Sequence, residues 1–446
     1  MVLFTIAIRN LVQARRRSAL LSLAIGLVTM LLVLMMALSA GINDNLVRSA
    51  TIMSAGHINV AGFYKPTNAM SLAVVTDVGE LRNIVEENTP NLDYTIDRMR
   101  GWGKLISDTG TVQTGFSGVD LADESHFLEV IQLAKESDYK DGGRDEIIGD
   151  PSQLAGGNTI MLFVNQARRL GVGVGDTLTI QTETVGGYTN TADVTVVAVA
   201  RDVGLLSGFA TYVPKQVLRD LYQLSPDTSG AVWVYLKDIE DADATMKHLR
   251  GVFEAKGYRL MDHEAVPFFM KFETVQGEDW TGQKIDITTW KDEVVMLTFV
   301  ITAFDTVTVF LVSILVLIIA VGIMNSMWNA VRERTREIGT MRAIGMTRTR
   351  VLAMFLVEAF VLGLFATTVG ATLGAATAFG LNALHINVPN DAVKAILLSD
   401  TLRMSVHVQS LFIAVGFLTL CTGLSALWPA LRASRLSPVV ALGHTE

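Results

Sequence analysis

Residues 306–331, TVTVFLVSILVLIIAVGIMNSMWNAV, contain no charged side chain over 26 positions. A helix of about 20 apolar residues is long enough to cross the hydrocarbon core of a bilayer, so this run predicts a membrane-spanning helix. Three other runs are similarly long and apolar, and one of them is interrupted by a single acid, Glu358. The sequence therefore predicts four transmembrane helices, at residues 18–43, 294–331, 351–383 and 404–431.

The overall composition agrees with a chain embedded in a membrane. Half of the 446 residues are apolar and 18% are charged, and the mean hydropathy is +0.39. This balance excludes an ordinary soluble protein and is typical of a membrane protein with a sizeable polar part. The polar part is residues 44–293, which are numerous enough for one or two folded domains.

The charges differ in sign along the chain. Residues 44–293 hold 22 Lys and Arg against 37 Asp and Glu, residues 1–17 hold four Arg and no acid, and residues 332–350 hold six Arg and two Glu. Basic segments stay on the cytoplasmic side of a membrane. We therefore predict that residues 1–17, 332–350 and the tail 432–446 are cytoplasmic, and that residues 44–293 and the loop 384–403 lie outside.

The N-terminal region has two interpretations. A basic stretch followed by an apolar run resembles a signal peptide, and ALSA at residues 37–40 offers small residues for cleavage. An uncleaved anchor is favoured, because the apolar core of a signal peptide has about 7–15 residues and this run is longer. Apolar residues at near-helical spacing in residues 1–17 predict an amphipathic helix on the inner membrane surface, with a disordered basic tail as the alternative.

The external region is predicted to be an α+β domain on helical stalks. Alternating segments such as TLTIQTET at residues 177–184 predict strands, and residues 231–262 read as strand, helix and strand. We expect a core formed by about 54–118 and 230–262, with 119–228 inserted. Residues 290–321 contain no Gly or Pro, so the second spanning helix is expected to extend beyond the membrane, as is the first.

Motifs for catalysis or metal binding are missing from the sequence. The nearest match to a phosphate-binding loop, GWGKLI at residues 101–106, has neither the spacing nor the Ser or Thr after Lys104. The seven histidines are scattered and the one cysteine, Cys421, falls in the fourth span. We therefore expect no metal site, no disulfide framework and no intramembrane enzyme.

Residues 332–350, RERTREIGTMRAIGMTRTR, combine charges of both signs with apolar residues at helical spacing. Gly345 is a predicted helix stop and Thr347 a predicted cap for the next helix. Interleaved acids and the apolar residues Ile338, Met341 and Ile344 favour a surface that docks on a protein, while a simple topology signal is the alternative. Glu358 is expected to meet an arginine of this loop.

The third span contains a stripe of small residues. They recur at every fourth position: Ala366, Gly370, Gly374 and Ala378. Small residues let helix backbones approach closely. The stripe therefore predicts helix packing, either within the bundle or in a dimer.

Several segments resemble one family. NSMWNAVRERTREIGTMRAIGMTRTRV at residues 325–351, continued by FLVEAFVLGLFATTVGATLG at 355–374, is similar to the permease signature of the FtsX-like ABC transporter family, which includes permeases of the MacB and LolC–LolE types. LFTIAIRNLVQARRRSALLSLAIGLV at 3–28 and LWPALRASRLSPVVAL at 427–442 resemble its two ends. QARRLGVGVGDTLTI at 166–180 is a looser match in the external domain.

The resemblance implies a mechanotransmission permease without a fused ATPase in the bacterial inner membrane. Two permease chains, identical or homologous, would pair with two ABC ATPase subunits that bind ATP and Mg²⁺, while this chain would bind no cofactor and no nucleic acid and catalyse no reaction. The loop after the second span would be a coupling helix inserted in the ATPase. Its contacts would come from Arg334, Glu337, Ile338, Gly339, Arg342, Ala343 and Gly345.

The resemblance leaves the substrate open. Extraction of lipoproteins from the inner membrane, with transfer to a periplasmic carrier, is the favoured expectation. The alternative is a MacB-like efflux permease that works with a periplasmic adaptor on a hydrophobic substrate. A membrane sensor or a regulator of a cell-wall hydrolase is an alternative from another class.

Overall fold

The computed structural model describes all residues except 1–5, 7, 8, 12, 69, 125, 126, 185, 203–206, 208, 209, 385, 387, 389–392, 394–400 and 437–446. The chain forms two compact units. We call them the helical unit, Met1–Asp44, Ile301–Ile386 and Leu402–Glu446, and the sheet unit, Asn45–Val300 and Asn387–Thr401. Most of the predicted loop 384–403, much of the predicted N-terminal helix and the end of the tail lie outside the described residues.

Long helices stand at both ends of the chain, and shorter helices and strands lie between them. In chain order, the α-helices are α1 (Arg15–Ala50), α2 (Val78–Glu87), α3 (Phe127–Val130), α4 (Glu136–Tyr139), α5 (Val164–Leu170), α6 (Lys215–Tyr222), α7 (Ala242–Ala255), α8 (Lys271–Gly277), α9 (Trp290–Glu293), α10 (Val295–Glu333), α11 (Thr335–Ala343), α12 (Arg348–Ala383) and α13 (Val408–Ser434). The strands are β1 (Ile58–Thr67), β2 (Met70–Leu72), β3 (Val75–Thr76), β4 (Leu92–Ile106), β5 (Thr111–Val119), β6 (Thr159–Phe163), β7 (Thr177–Glu183), β8 (Thr189–Ala200), β9 (Ala210–Pro214), β10 (Thr228–Ser229), β11 (Ala231–Leu236) and β12 (Gly282–Thr289).

Four helices of the described chain, α1, α10, α12 and α13, are long and apolar enough to span a membrane. The prediction of four spanning helices is therefore confirmed. Helices α1 and α10 have 36 and 39 residues, so at about 1.5 Å per residue each exceeds the roughly 30 Å of a hydrocarbon core. Helix α10 begins at Val295, because the chain turns at Val294 between α9 and α10.

The small-residue stripe of α12 packs against α1 inside the helical unit. A Cβ added at Gly370 would lie 2.8 Å from the Cα of Gly26, and one at Gly374 would lie 3.0 Å from the Cβ of Val33. Ala366 and Ala378 are fully buried. On α13, the Thr419 hydroxyl lies 2.9 Å from that of Thr367. The absence of side chains at the two glycines therefore allows α1 and α12 to approach backbone to backbone.

In the sheet unit, a mixed sheet bends along β4 into two parts. The first part has the order β12-β1-β11-β4, with β2 beside β1. Helix α2 covers β11 and β4 with Leu81, Ile84 and Val85, while α7 covers β12 with Met246, Leu249 and Phe253. Both helices bury residues at three-to-four spacing, as an amphipathic helix on a sheet requires.

The second part of the sheet closes into a ring of six strands. The pairings run β4-β5-β9-β6-β8-β7 and return to β4, where Leu105 pairs with Ile180. Side chains from all sides fill the interior, among them Leu105, Phe116, Leu162, Leu178, Val196 and Val213. A closed ring leaves no exposed strand edge inside its circuit.

The observed boundaries differ from the predicted core and insertion. Residues 99–118, assigned by the prediction to the core, lie in the closed ring, because β4 runs through both parts of the sheet. Strand β12 belongs to the first part but lies outside both predicted core segments. The predicted strand near residue 260 is a single bridge from Leu260 to Ile285. Alternation of side chains within one strand does not indicate which strands become its neighbours.

A buried arginine lies where the two parts of the sheet meet. Arg98 is 1% exposed and forms an ion pair with buried Glu124. Its guanidinium group also donates to the Ser117 hydroxyl at 3.2 Å and stacks on the Trp233 ring, 4.4 Å from the centroid. Because a buried charge needs a close partner, this cluster fixes β4, β5 and β11 against one another.

Replacing Glu124 with Ala would leave the Arg98 cation buried without its carboxylate. We expect this change to lower the free energy of unfolding of the sheet unit by about 3–5 kcal/mol. Thermal unfolding of the full chain in detergent, followed by limited proteolysis within the sheet unit, measures the loss. As a control, Asp145→Ala removes an exposed partner of Lys135 and should have little effect; equal effects of the two variants would contradict the prediction.

Replacing Gly370 with Leu should force α1 and α12 apart, because the new side chain would meet the Gly26 backbone. Overpacking of this kind costs about 1–3 kcal/mol or more. The measurement is the melting temperature and the monodisperse fraction of the full chain after extraction in detergent. Gly416→Leu is the matched control, since no atom lies within 4 Å of a Cβ at that position; a control that is as unstable as the Gly370 variant would refute the packing argument.

Candidate functional site: the helix between α10 and α12

Helix α11 is a separate, well-bounded element. The Arg334 backbone departs from helical geometry between α10 and α11, with φ −107° and ψ 15°. At the other end, Gly345 has φ +105°. The Met346 amide donates to the Met341 carbonyl at 3.0 Å and the Gly345 amide to the Arg342 carbonyl at 3.1 Å. These two bonds form a Schellman motif, which glycine favours because the conformation is left-handed.

Two apolar side chains of α11, Ile338 and Met341, pack against the rest of the helical unit. Ile338 is fully buried in a cluster that includes Met327 of α10, Met354 and Phe355 of α12 and Ala430 of α13. Burying such a side chain contributes about 1.5–3 kcal/mol. Gly339 is buried beside it.

Two arginines of this segment bind groups on other helices of the same chain. Arg334 lies 3.0 Å from Glu337 and 3.5 Å from Glu358 of α12, and the Asn10 side chain donates to Glu358 at 3.3 Å. The expected contact between Glu358 and an arginine of the loop is therefore confirmed. Arg342 donates to the carbonyls of Ser434 and Leu436 at the end of α13, where orphan carbonyls of a helix need donors.

The opposite side of α11 is exposed. The side chains of Glu337, Thr340 and Ala343 point away from the cluster around Ile338, and Ile344 is 83% exposed. We call Glu337, Thr340, Ala343, Ile344 and Gly345 the exposed face of α11. It joins one carboxylate to an apolar side chain that nothing in the described chain covers.

The predicted contact residues thus separate into two groups. Glu337, Ala343 and Gly345 lie on the exposed face, whereas Ile338 and Gly339 are buried within the chain. Arg334 and Arg342 bind groups of their own chain. The prediction that Ile338 contacts a partner is corrected, because its side chain is already enclosed; Ile344, one helical turn and a half further on, was left out of the predicted contact set.

The described residues contain no group of three or more His, Cys, Asp or Glu that could hold a metal ion. The exposed face combines a carboxylate with an exposed apolar side chain, and this combination suits contact with a protein surface.

Within the sheet unit, the residues that follow α1 and those that lead into α10 are fastened side by side. Thr51–Ala55 form a π-helical turn after α1. The His57 carbonyl then accepts a hydrogen bond from the Trp290 amide at 3.1 Å, and Ile58 of β1 pairs with Thr289 of β12. Burial lowers the pKa of His57, whose neutral ring accepts from the Leu236 amide through Nδ1 at 3.0 Å.

A buried polar network holds the short helix α9 before α10. Glu293 accepts hydrogen bonds from the Phe268 amide at 3.1 Å and from the Asn59 side chain at 3.3 Å. Arg100 donates to the same Asn59 at 3.0 Å. Burial raises the pKa of Glu293, and the Arg100 charge opposes that shift. Such satisfied networks are rigid, because every member loses a partner if one moves.

Comparison with known proteins identifies both parts of the chain. A family model described as FtsX-like permease C-terminal matches residues 309–438. A second model, described as MacB-like periplasmic core domain, matches residues 18–252, which are more than half of the chain. The first match contains α11 and the second contains most of the sheet unit.

Individual relatives match over shorter segments. A macrolide export ATP-binding/permease protein MacB from Hahella chejuensis is 35% identical over 124 residues, 28% of this chain and 17% of that protein. An uncharacterised ABC transporter permease from Methanocaldococcus jannaschii is 34% identical over 139 residues, 30% of this chain and 33% of that protein. The matched segments thus span a third or less of these relatives.

One solved structure similar to the chain is the periplasmic region of MacB from Actinobacillus actinomycetemcomitans, with 11% identity and a TM-score of 0.31 over 56% of this chain and 95% of that one. The assignment itself rests on the two family models. The chain belongs to the FtsX-like family of ABC transporter permeases and carries a MacB-like periplasmic core domain.

Proposed function

We propose that this chain is the transmembrane subunit through which a separate ABC ATPase moves the periplasmic domain, with the exposed face of α11 as the contact. The observation that carries the proposal is the way α11 is held. One side is anchored by buried Ile338 and by the pairing of Arg334 with Glu358, while the other presents Glu337 and Ile344. Because one side of α11 is packed against the other helices, a force applied to its exposed side would be transmitted to those helices.

The chemistry of the exposed face suits a protein partner. Buried apolar anchors surrounded by polar groups are typical of stable protein contacts. Ile344 would supply the anchor, and Glu337 would set the orientation through a basic group on the ATPase. ATP and Mg²⁺ would bind to that ATPase, so this chain would need no cofactor and no catalytic residue of its own.

The path to the periplasmic domain follows the backbone. Helix α10 runs without interruption from Val295 to Glu333, next to α11 at one end and to α9 at the other. Strands β1 and β12 are paired over eight residues at the roots of α1 and α10. Force on either helix would therefore reach the same two strands, which is the behaviour expected of a mechanical lever.

The arginine distribution supports an orientation with α11 and both termini in the cytoplasm. The family match supports the bacterial inner membrane as the location, and in that orientation the sheet unit would be periplasmic. A second permease chain, identical or homologous, would complete the complex, since ABC ATPases act in pairs.

For the substrate, MacB-like efflux has more support than lipoprotein release. The matched relatives include macrolide export proteins, and the sheet unit matches the MacB-like core domain. No observation on the described residues favours lipoprotein release. We therefore place a hydrophobic small molecule first, with a periplasmic adaptor as partner, and retain lipoprotein extraction with a carrier as the second candidate.

The double variant Glu337→Arg/Ile344→Asp tests the coupling surface. We expect it to reduce stimulation of the partner ATPase by about tenfold or more, because it removes the apolar anchor and reverses the charge. The measurement is ATP hydrolysis by the ATPase reconstituted with the full permease chain in vesicles.

The matched control, Glu240→Arg/Ile147→Asp, makes the same chemical changes at exposed positions of the sheet unit and should leave stimulation unchanged. The coupling assignment fails if the α11 variant, extracted as a monodisperse protein in normal yield, still stimulates hydrolysis fully.

The substrate class is tested in a bacterium that lacks its own macrolide exporter. Expression of the permease with its ATPase and adaptor should raise the macrolide concentration needed to stop growth, and Glu337→Arg/Ile344→Asp should abolish that gain. Release of acylated lipoprotein from spheroplasts, without any gain in macrolide tolerance, would instead select the second candidate.

A further inference from the structure

The C-terminal ends of α10 and α13, which we call their inner ends, carry the same short sequence pattern. The first charged residue after the apolar run of α10 is Arg332, and the first after that of α13 is Arg432. Each arginine is preceded by a Trp four positions earlier, Trp328 and Trp428, and by an Ala two positions earlier. The spacing places Trp, Ala and Arg within one helical turn at two helix ends.

The structure brings both arginines to one ring. The Arg432 guanidinium carbon lies 4.9 Å from the centroid of Trp328, and that of Arg332 lies 6.0 Å from the same centroid. The two alanines of the pattern, Ala330 and Ala430, are buried. Their small size lets the helix ends come close enough for a side chain of α13 to reach a ring of α10.

The two cations have no anionic partner within the described chain. Neither Arg332 nor Arg432 forms an ion pair with a described residue, and both are exposed. The acid next in sequence, Glu333, is paired with Arg17 at 3.3 Å. A further exposed cation, Arg435, follows one turn beyond Arg432. Like charges that converge on one ring repel each other, and an anion bound between them would offset that repulsion.

The position of the cluster limits what that anion is. It lies at the last turns of two spanning helices, where Trp side chains mark the boundary between hydrocarbon and water. Trp428, which occupies the corresponding position on α13, is 65% exposed. Phosphate groups of lipids occupy this level, and the planar guanidinium group binds phosphate through two parallel hydrogen bonds.

We propose that Trp328, Arg332 and Arg432 form a binding site for the headgroup of an anionic phospholipid in the leaflet at the inner ends of α10 and α13. The two guanidinium groups bind the phosphate, and the indole ring holds them in place through cation–π contacts. The site goes beyond the proposed coupling role, since none of its three residues belongs to the exposed face of α11.

The test uses the full permease chain without its ATPase, so that its outcome is independent of coupling. Native mass spectrometry from detergent compares retention of phosphatidylglycerol with that of phosphatidylcholine, with inorganic phosphate as a competitor. We expect the wild type to retain phosphatidylglycerol preferentially and Arg332→Gln/Arg432→Gln to weaken its binding by about tenfold or more. Lysine at both positions should restore part of it, because charge remains but the planar fork is lost.

The control variant Arg348→Gln/Arg350→Gln removes the same charge from two other exposed positions and should keep phosphatidylglycerol bound. Equal losses in the two double variants would show diffuse electrostatic attraction and overturn the site. Retention of phosphatidylcholine as strong as that of phosphatidylglycerol would overturn it as well, as would displacement of the lipid by inorganic phosphate at similar concentration. Unchanged lipid retention in Arg332→Gln/Arg432→Gln would also overturn the site; if that variant, in a separate assay with the ATPase, no longer stimulates hydrolysis, the cluster is a protein contact.

Should the double variant not be recovered as a monodisperse protein, Arg432→Gln alone carries the test. It removes the guanidinium group nearer to the Trp328 ring and leaves Arg332 in place. We expect a smaller but selective loss of phosphatidylglycerol; an unchanged preference for that lipid would overturn the proposal.

Discussion

The pairing of β1 with β12 is the interaction on which the rest of the structure depends. It is antiparallel over eight residues, from Ile58 with Thr289 to Lys65 with Gly282. Strand β1 begins just after α1 and β12 ends just before α9 and α10, so the two long helices share one attachment. The bond between His57 and Trp290 and the buried network around Glu293 reinforce the same place. The lever motion that we propose would require a fixed attachment, and backbone hydrogen bonds inside a folded sheet could provide one.

Helix α11, which follows the other end of α10, also depends on its contacts with neighbouring elements. Nine residues are too few for a helix that is stable alone in water, so its stability must come from packing. Burial of Ile338 and the bonds made by Arg334 and Arg342 supply that packing. The other side of α11 is exposed. It carries the Glu337 carboxylate and the Ile344 side chain, which we propose contact the ATPase.

Much of the architecture could be predicted because its signals are local. Four long apolar runs, the α+β character of the polar region and the Gly345 stop all follow from hydropathy, alternation and backbone preference within short windows. The closed strand ring could not be predicted in this way. Its closure depends on Leu105 meeting Ile180 across 75 residues of sequence, and strand alternation carries no information about partners. For the same reason, the prediction assigned β5 to the core and did not include β12 in it.

By itself the sequence determined that the chain spans a membrane four times, which segments are basic, and that α11 is a helix with an apolar stripe. Hydrophobic length and helical periodicity are properties of contiguous residues, and they need no neighbours to be recognised. Only the tertiary structure decided which side of that stripe is enclosed. Ile338 and Ile344 are both isoleucines and lie six positions apart. They differ in burial because residues of α12 and α13 enclose Ile338 and leave Ile344 exposed.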